Sequence, residues 1–288
     1  MRLSVKTLAL ATITLFAGVV AYAQVTTSSL SGRVVDDKGE PVIGAAIVAT
    51  HGPSGTTYGA VTNAEGRYTI QGMRPGSPYS VEVSSLGYTT VNYTDITLQL
   101  AENTSLNATI KESTEFLEEV VVVGQASSKF AQEKTGAATN ISNEEILALP
   151  TISRNITDFT RLSPYGGNGM SFAGTDGRTA NFTVDGANFN NNFGLSDKLP
   201  GGGNPISIDA IEEMQVVISP YDVRQTNFIG GGVNAITKSG TNTFKGSAYA
   251  YHRNEHIRGD TVAKEQIPGA RDVDRSTTAG FTFGGPII

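Results

Sequence analysis

Hydrophobic and polar residues alternate in short segments over residues 29–110, and turn residues separate the segments. In one clear case Tyr79, Val81 and Val83 alternate with polar neighbours, as expected for a strand with one buried face. Asp, Asn, Gly and Pro residues interrupt the pattern at short intervals. The pattern predicts about seven short strands, a spacing that favours a β-sandwich. The predicted strands are Ser31–Val35, Ala46–Thr50, Tyr58–Thr62, Arg67–Gln71, Tyr79–Ser84, Tyr88–Tyr93 and Thr104–Ile110.

After residue 124 the pattern changes to a mixture of helical and strand signals. Ser142 and Glu145 have the spacing of a capping box at the start of a short helix. Pro150 is expected to end that helix, because proline cannot continue the helical hydrogen bonds. The other predicted elements are a short helix over Ile156–Leu162, strands at Asn181–Val184 and Gln215–Ile218, and a short helix at Ile208–Glu213.

Two strands of a different type are predicted after residue 240. Small, aromatic and polar residues alternate over Phe244–Tyr251 and again over Ala279–Pro286. Tyr249 and Tyr251 suit the aromatic girdle of a membrane barrel. The predicted fold class is therefore mainly β, with a transthyretin- or Ig-like sandwich, an α+β domain and the first strands of a transmembrane β-barrel.

The first 23 residues have the organisation of a secretory signal peptide. Arg2 and Lys6 form a positive region, and Leu8–Val20 is an almost wholly apolar segment. Ala21-Tyr22-Ala23 then fits the small-x-small cleavage pattern. We expect the mature chain to start at Gln24 and to work outside the cytoplasm.

Composition excludes several classes of function. The net charge of -6 and the isoelectric point of about 5.2 argue against nucleic acid as a partner, since nucleic-acid binders normally carry a basic face. The chain has no Cys, which excludes disulfides, thiolate metal sites and a Cys nucleophile. No catalytic motif survives inspection, and the sequence predicts neither an enzyme nor a cofactor or metal site.

Four glycine-containing motifs mark the N-terminal segment. They are Gly32-Arg33-Val34, Gly39-Glu40-Pro41-Val42-Ile43-Gly44-Ala45, Thr62-Asn63-Ala64-Glu65-Gly66-Arg67-Tyr68 and Gly87-Tyr88. With these motifs the segment resembles the carboxypeptidase regulatory-like domain. The resemblance implies a transthyretin-like sandwich without catalytic residues of its own. His51 is the only His in this segment, so the residues themselves offer no zinc cage or His-based dyad, and we expect His51 in a loop.

A β-prone segment follows the sandwich, within the linker predicted at 113–124. Four consecutive Val residues strongly favour extended backbone. Two interpretations stay open: a buried strand of the next domain, or a strand offered to the sheet edge of a partner. Its position after a signal peptide and a small sandwich resembles the TonB-box region of TonB-dependent receptors of the Bacteroidetes. The candidate partner-binding residues are Glu118, Glu119, Val120, Val121, Val122, Val123 and Gly124.

Three motifs mark the region after residue 124. They are Thr183-Val184-Asp185-Gly186, Ile211-Glu212-Glu213-Met214-Gln215-Val216 and Gly230-Gly231-Gly232-Val233-Asn234-Ala235-Ile236-Thr237-Lys238-Ser239-Gly240-Thr241-Asn242. With these motifs residues 125–238 resemble the plug domain of TonB-dependent receptors, of the Oar-like group. The resemblance implies an outer-membrane transporter, with the sandwich and the plug on the periplasmic side. It also implies TonB as the energy-transducing partner, contact of the full-length barrel with outer-membrane lipid, and an imported substrate that the sequence does not identify.

Two polar clusters contain residue types that bind ligands or metals. His252-Arg253-Asn254-Glu255-His256 matches the H-x-x-E-H letters of a zinc protease, but that chemistry needs a helix and these residues follow a strand pattern. A polar loop after the Thr183–Gly186 motif is a candidate ligand-facing surface of the plug, although an ordinary polar loop is the favoured interpretation. The loop candidates are Asp185, Asn188, Asn190, Asn192 and Asp197.

The sequence thus predicts five segments and two competing functions. They are a signal peptide (1–23), a sandwich (24–112), a TonB-box-like linker strand (113–124), a plug (125–238) and the start of a barrel (239–288). About 48 residues supply only two to four barrel strands, so we expect the chain to be a fragment or a truncated product. The leading function is the N-terminal part of a TonB-dependent transporter. The alternative is a soluble periplasmic or surface module for binding or adhesion, without transport.

Overall fold

The structure is a computed structural model and is mainly β. It describes residues 26–113, 121–124, 137–149, 151, 154–190, 199, 205–218, 225, 229–257, 261–262, 264–266 and 273–287, with the backbone alone for 121–124. The predicted signal peptide, the acidic half of the candidate docking segment (Glu118 to Val120) and two loop candidates (Asn192 and Asp197) lie outside these residues.

The N-terminal part forms a β-sandwich. One sheet has the order β4-β1-β7, with β8 also pairing β1, and the other has the order β3-β2-β5-β6-β9. Side chains of the two sheets meet in one apolar core that includes Leu30, Ile47, Tyr79 and Leu98. The strands are β1 (Ser28–Val35), β2 (Ala46–His51), β3 (Thr56–Val61), β4 (Arg67–Met73), β5 (Gly76–Ser84), β6 (Val91–Leu98), β7 (Asn103–Ser105), β8 (Ala108–Thr109) and β9 (Val121–Gly124).

The last predicted strands of the sandwich differ from the observed ones. Tyr88 makes an isolated bridge with Glu112, and β6 begins only at Val91. The single strand predicted over Thr104–Ile110 is two short strands, because β7 and β8 pair in parallel with successive parts of β1. The alternation of residues correctly indicated strands in this region, but the partner strand determined where pairing starts and stops.

Gly32 allows an unusually close approach between β1 and the chain that leads into β8. A Cβ atom built on Gly32 would lie 1.9 Å from the Leu106 carbonyl oxygen and 3.0 Å from Cε1 of Tyr68. The same carbonyl accepts a 2.7 Å hydrogen bond from the buried Tyr68 hydroxyl. Two residues of the family signature, Gly32 and Tyr68, are therefore fixed by one packing contact.

The central domain contains a five-stranded sheet with the order β10-β13-β14-β11-β12. Its apolar core includes Ile141, Phe172, Phe182 and Val216. The elements are β10 (Ala138–Ser142), α1 (Asn143–Ala148), α2 (Ile156–Phe159), 3-10 turns at Thr160–Leu162, Gly177–Thr179 and Ile208–Ala210, β11 (Asn181–Val184), β12 (Ala187–Asn188), β13 (Ile211–Val217) and β14 (Gly232–Thr237).

Local signals located the helices of this domain but not the start of β13. The capping box of Ser142 and Glu145 is present at the start of α1. The helix predicted over Ile208–Glu213 is wrong beyond its first turn, because a strand begins at Ile211 and runs to Val217. This strand pairs with β10 on one side and β14 on the other. Hydrogen bonding to two neighbours overrides the weak helical preference of the segment.

The C-terminal part forms a long β-hairpin. Strands β15 (Lys245–Arg253) and β18 (Ser276–Gly284) pair in antiparallel fashion along their whole length. Between them, β16 (Thr261–Val262) and β17 (Glu265–Gln266) form a small second pair. Phe281 and Phe283 are largely exposed, so the hairpin buries little of its aromatic surface within the described chain.

None of the described helices has the length and apolar character needed to cross a membrane.

Candidate functional site

Strand β9 contains the described part of the candidate docking segment. It pairs in parallel with β6, with Val121 opposite Val91 and Val123 opposite Tyr93. It is the outermost strand of the order β3-β2-β5-β6-β9, so one of its edges pairs with no other strand of the described chain. The described part of the segment is therefore not a strand of the central sheet, which was one of the two interpretations, whereas its binding to a partner stays a prediction. The segment is an edge strand of the sandwich.

The loop candidates of the central domain that fall within the described residues form hydrogen bonds within the central domain itself. Both carboxylate oxygens of Asp185 accept hydrogen bonds from Thr237, at 2.9 Å from its main-chain N–H and 2.7 Å from its hydroxyl. The side-chain oxygen of Asn188 accepts from the Asn190 N–H at 2.7 Å, and Asn190 Nδ2 donates to Asn181. These bonds give the three residues a structural role. Their contact with a ligand stays a prediction.

The residues of the H-x-x-E-H motif do not form a helical metal site. His252 lies in β15, where its Nδ1 is 2.9 Å from the Thr277 hydroxyl, and Glu255 and His256 lie in the turn that follows. The Glu255 carboxylate pairs with Arg275 at 3.0 Å. Among the residues that the structure describes, no group of three or more His, Asp or Glu side chains is arranged to hold a metal ion.

A buried ion pair that the sequence did not reveal connects the central domain to β15. Arg154 Nη2 lies 2.7 Å from Asp209 Oδ1, and both side chains are largely buried. The Arg154 guanidinium also lies over the ring of Tyr249, 4.3 Å from its centroid, and 5.1 Å from that of Tyr251. No sequence signal pointed to this cluster, because its members are brought together only by packing.

The charge of Asp209 is maintained by these neighbours. Burial raises the pKa of its carboxyl, since a buried charge loses its hydration. Hydrogen bonds from Tyr249 and Ser207, together with the Arg154 charge, outweigh that effect and lower the pKa below its ordinary value. Asp209 is therefore ionised at neutral pH and serves as the counter-ion of Arg154.

The sequence suggested that His51 lies in a loop, and this prediction is wrong. His51 is buried at the end of β2. Its Nδ1 is 2.6 Å from the Ser54 hydroxyl, and its ring packs on Tyr79. Burial lowers the pKa of His51, and the positive charges of Arg74 and Lys245 lower it further. The ring is therefore neutral at pH 7 and belongs to the core of the sandwich.

Comparisons with known protein families match two parts of the chain. Residues 29–111 match the carboxypeptidase regulatory-like domain, and residues 236–288 match an outer membrane beta barrel domain. The first match covers the sandwich as far as β8, and the second covers the end of β14 and the hairpin. The chain is therefore a relative of TonB-dependent receptors with an N-terminal regulatory-like domain, and its location is the outer membrane.

The chain is similar to two curated proteins. The chain is 25% identical to the TonB-dependent transporter Oar of Myxococcus xanthus, over 94% of this chain and 26% of Oar. It is 30% identical to the TonB-dependent receptor SusC of Bacteroides thetaiotaomicron, over 60% of this chain and 15% of SusC. The chain thus spans about a quarter or less of the length of these relatives.

A solved structure has a weaker similarity. The siderophore receptor PirA of Pseudomonas aeruginosa is 19% identical, with a TM-score of 0.37, over 54% of this chain and 26% of that one. A similarity at this level does not establish a shared fold.

Proposed function

We propose that the chain is the N-terminal part of a TonB-dependent outer-membrane transporter. In this proposal the central domain is the plug that gates substrate uptake, and the hairpin β15–β18 begins the barrel that contacts outer-membrane lipid. TonB supplies the energy by docking on the segment Glu118–Gly124. The relationship to Oar and SusC supports the transporter class, because both are TonB-dependent proteins by their descriptions.

The position of β9 is the observation that carries the docking part of the proposal. An edge strand offers main-chain donors and acceptors to a further strand, which is how many proteins bind an extended partner. Strand β9 is such an edge among the described strands, and its backbone is already extended. A partner strand that adds there meets a preformed strand, which lowers the entropic cost of binding.

Proline substitutions in β9 test the docking site. Successive residues of a strand direct their N–H groups to opposite edges, so of Val122 and Val123 one donates towards β6 and the other outwards. We expect one of the two variants Val122→Pro and Val123→Pro to abolish capture of the periplasmic domain of TonB in a pull-down. It is the variant in which proline removes the outward N–H donor. The other substitution should instead loosen β9 from β6, visible as faster amide exchange in β6.

Matched threonine variants serve as controls. Val122→Thr and Val123→Thr keep the N–H group and the β-branched side chain, so they should bind TonB like the wild type. If both proline variants bind TonB normally, the docking site lies elsewhere in the chain. If the wild-type protein does not bind TonB at all, the transport proposal fails, and the soluble binding or adhesion module becomes the better description.

A further inference from the structure

The turn that follows β6 inserts into a polar slot on the central domain. Leu100, in this turn, is fully buried. Its main-chain N–H donates to Glu213 Oε1 at 2.9 Å, and its carbonyl oxygen accepts from Gln215 Nε2 at 2.8 Å. Asn140 Nδ2 donates to the Gln99 side chain at 3.2 Å and lies 3.5 Å from the Leu100 carbonyl oxygen. We call this contact, between residues 99–102 and those three side chains, the Leu100 latch.

The register of the central sheet builds the slot. Asn140 of β10 and Gln215 of β13 are directly opposite each other, and Glu213 lies two residues from Gln215 on the same strand. Residues two apart on a strand share a face, so the acceptor and the donor for Leu100 point to the same side. Gln225 Nε2 lies 3.4 Å from Gln215 Oε1, which directs the amide group of Gln215 towards Leu100.

The latch is a specific contact between domains and not an extension of either core. Leu100 is absent from both apolar core clusters, although it is completely buried. Glu213 and Gln215 are buried as well, and a buried carboxylate or amide is costly unless it is hydrogen-bonded. The Leu100 main chain therefore supplies hydrogen bonds to buried polar groups of the central domain. Contacts of this polar kind hold domains together reversibly.

The shape of the turn fits this role. Ala101 has a φ of 58°, a left-handed conformation that is costly for a residue with a Cβ. The turn is closed by the Glu102 N–H, which donates to the Gln99 carbonyl at 3.2 Å, and by the Ala101 N–H, which donates to Thr27. This conformation directs both main-chain groups of Leu100 away from the sandwich and towards the slot.

A second contact, far away in sequence, attaches the sandwich to the segment that connects the central domain to β15. Asn242, just before β15, donates from its main-chain N–H to the Pro53 carbonyl at 2.9 Å and from Nδ2 to the Ser54 carbonyl at 3.0 Å. Residues 53–54 lie in the turn between β2 and β3. The sandwich is thus attached at two separate turns, and two attachments fix its orientation better than one.

We propose that the Leu100 latch docks the sandwich on the β10–β13 side of the central sheet in a fixed orientation, and that release of the latch is a step in the working cycle. Strand β9 pairs with β6, and β6 ends two residues before Leu100. A pull on β9 therefore acts on the strand that leads directly into the latch. The docking stands on the contacts alone, whereas its role in the cycle rests on the proposed TonB docking at β9.

Distances between spin labels test the docking in the intact protein, in outer-membrane vesicles. The chain has no Cys, so Leu86→Cys and Leu147→Cys provide two exposed labelling positions, one in the sandwich and one on α1. We expect a narrow distance distribution for the otherwise wild-type protein. Asn140→Asp, which loses the donor, and Glu213→Leu, which loses the acceptor, should broaden it. Exchange of the Leu100 amide should be at least about tenfold faster in Glu213→Leu.

Three controls make the result decisive. Glu213→Gln keeps an acceptor oxygen and should retain the narrow distribution, and Glu82→Leu, at an exposed position of β5, should do the same. Amide exchange of Val216 reports whether the central sheet is still folded in each variant. An unchanged narrow distribution in both Asn140→Asp and Glu213→Leu, with Val216 protected, overturns the latch.

The cycle step needs a separate measurement. Addition of the periplasmic domain of TonB to the labelled protein should broaden the distance distribution, and it should not do so in the proline variant of β9 that fails to bind TonB. If TonB binds and the distribution stays narrow, the latch is a static contact and the cycle step is wrong. If TonB does not bind, the proposed function fails, while the label distances of the latch variants still decide the docking.

Discussion

Substitution of Gly32 by Ala tests the packing that the family signature encodes. The added Cβ would lie 1.9 Å from the Leu106 carbonyl oxygen, which belongs to the backbone and cannot rotate away. The Leu106 segment must therefore retreat by more than an ångström. That movement breaks or distorts the 2.7 Å bond from the Tyr68 hydroxyl and the 2.8 Å bond from the Leu106 N–H to the Ser31 carbonyl.

The expected loss of stability in Gly32→Ala is the sum of the steric strain and the broken hydrogen bonds. Overpacking costs about 1–3 kcal/mol, and each lost hydrogen bond costs about 0.5–1.5 kcal/mol. The free energy of unfolding of the sandwich should thus fall by about 2–6 kcal/mol in Gly32→Ala. Slow amide exchange in β2 and β5 measures it, because exchange through global opening becomes at least about thirtyfold faster for such a loss.

Gly59→Ala is the matched control. Gly59 lies in β3 with ordinary backbone angles, and a Cβ there would meet its nearest neighbour, the Ile47 carbonyl oxygen, at 3.6 Å. Alanine should be neutral at this position or stabilise the strand by about 0.5–1 kcal/mol. Exchange rates in Gly32→Ala that stay within about threefold of those in Gly59→Ala would refute the close-approach argument.

Two further predictions concern charged and titratable groups. The folded sandwich holds the pKa of His51 below the 6.5 of an ordinary histidine, so the unfolded chain binds more protons as the pH falls through 6.5. Its stability, measured by amide exchange, should therefore fall below pH 6.5, and His51→Phe should lose this slope; a variant with the same slope contradicts the assignment. Arg154→Met leaves Asp209 without its counter-ion and should loosen β15 by about 2–3 kcal/mol, detectable as faster exchange of the Tyr249 amide. Restoring part of that loss with Asp209→Asn would confirm the pair, and simple additivity of the two losses would contradict it.

Short-range chemistry in the sequence determined much of the molecule. The alternation at Tyr79, Val81 and Val83 predicted β5, since only one face of that strand is buried. The capping box of Ser142 and Glu145 predicted the start of α1, because both of its bonds lie within four residues. The motifs around Gly32 predicted the regulatory-like domain, and those around Gly230 predicted a similarity to TonB-dependent receptors, although the plug itself stays a prediction. Each of these features depends on neighbouring residues or on a motif that is recognised from residue types and their spacing.

Tertiary structure decided what depends on distant partners. The four Val residues favoured a strand, but only the free edge of β6 determined that β9 joins the sandwich. Ile211 starts a strand because β10 and β14 lie on either side, although its local sequence suggested a helix. Arg154 contacts Asp209 across 55 residues of chain, and Leu100 contacts Glu213 and Gln215 across more than a hundred. No periodicity or spacing predicts such contacts, because a hydrogen bond between residues far apart in sequence depends on the packing of whole domains.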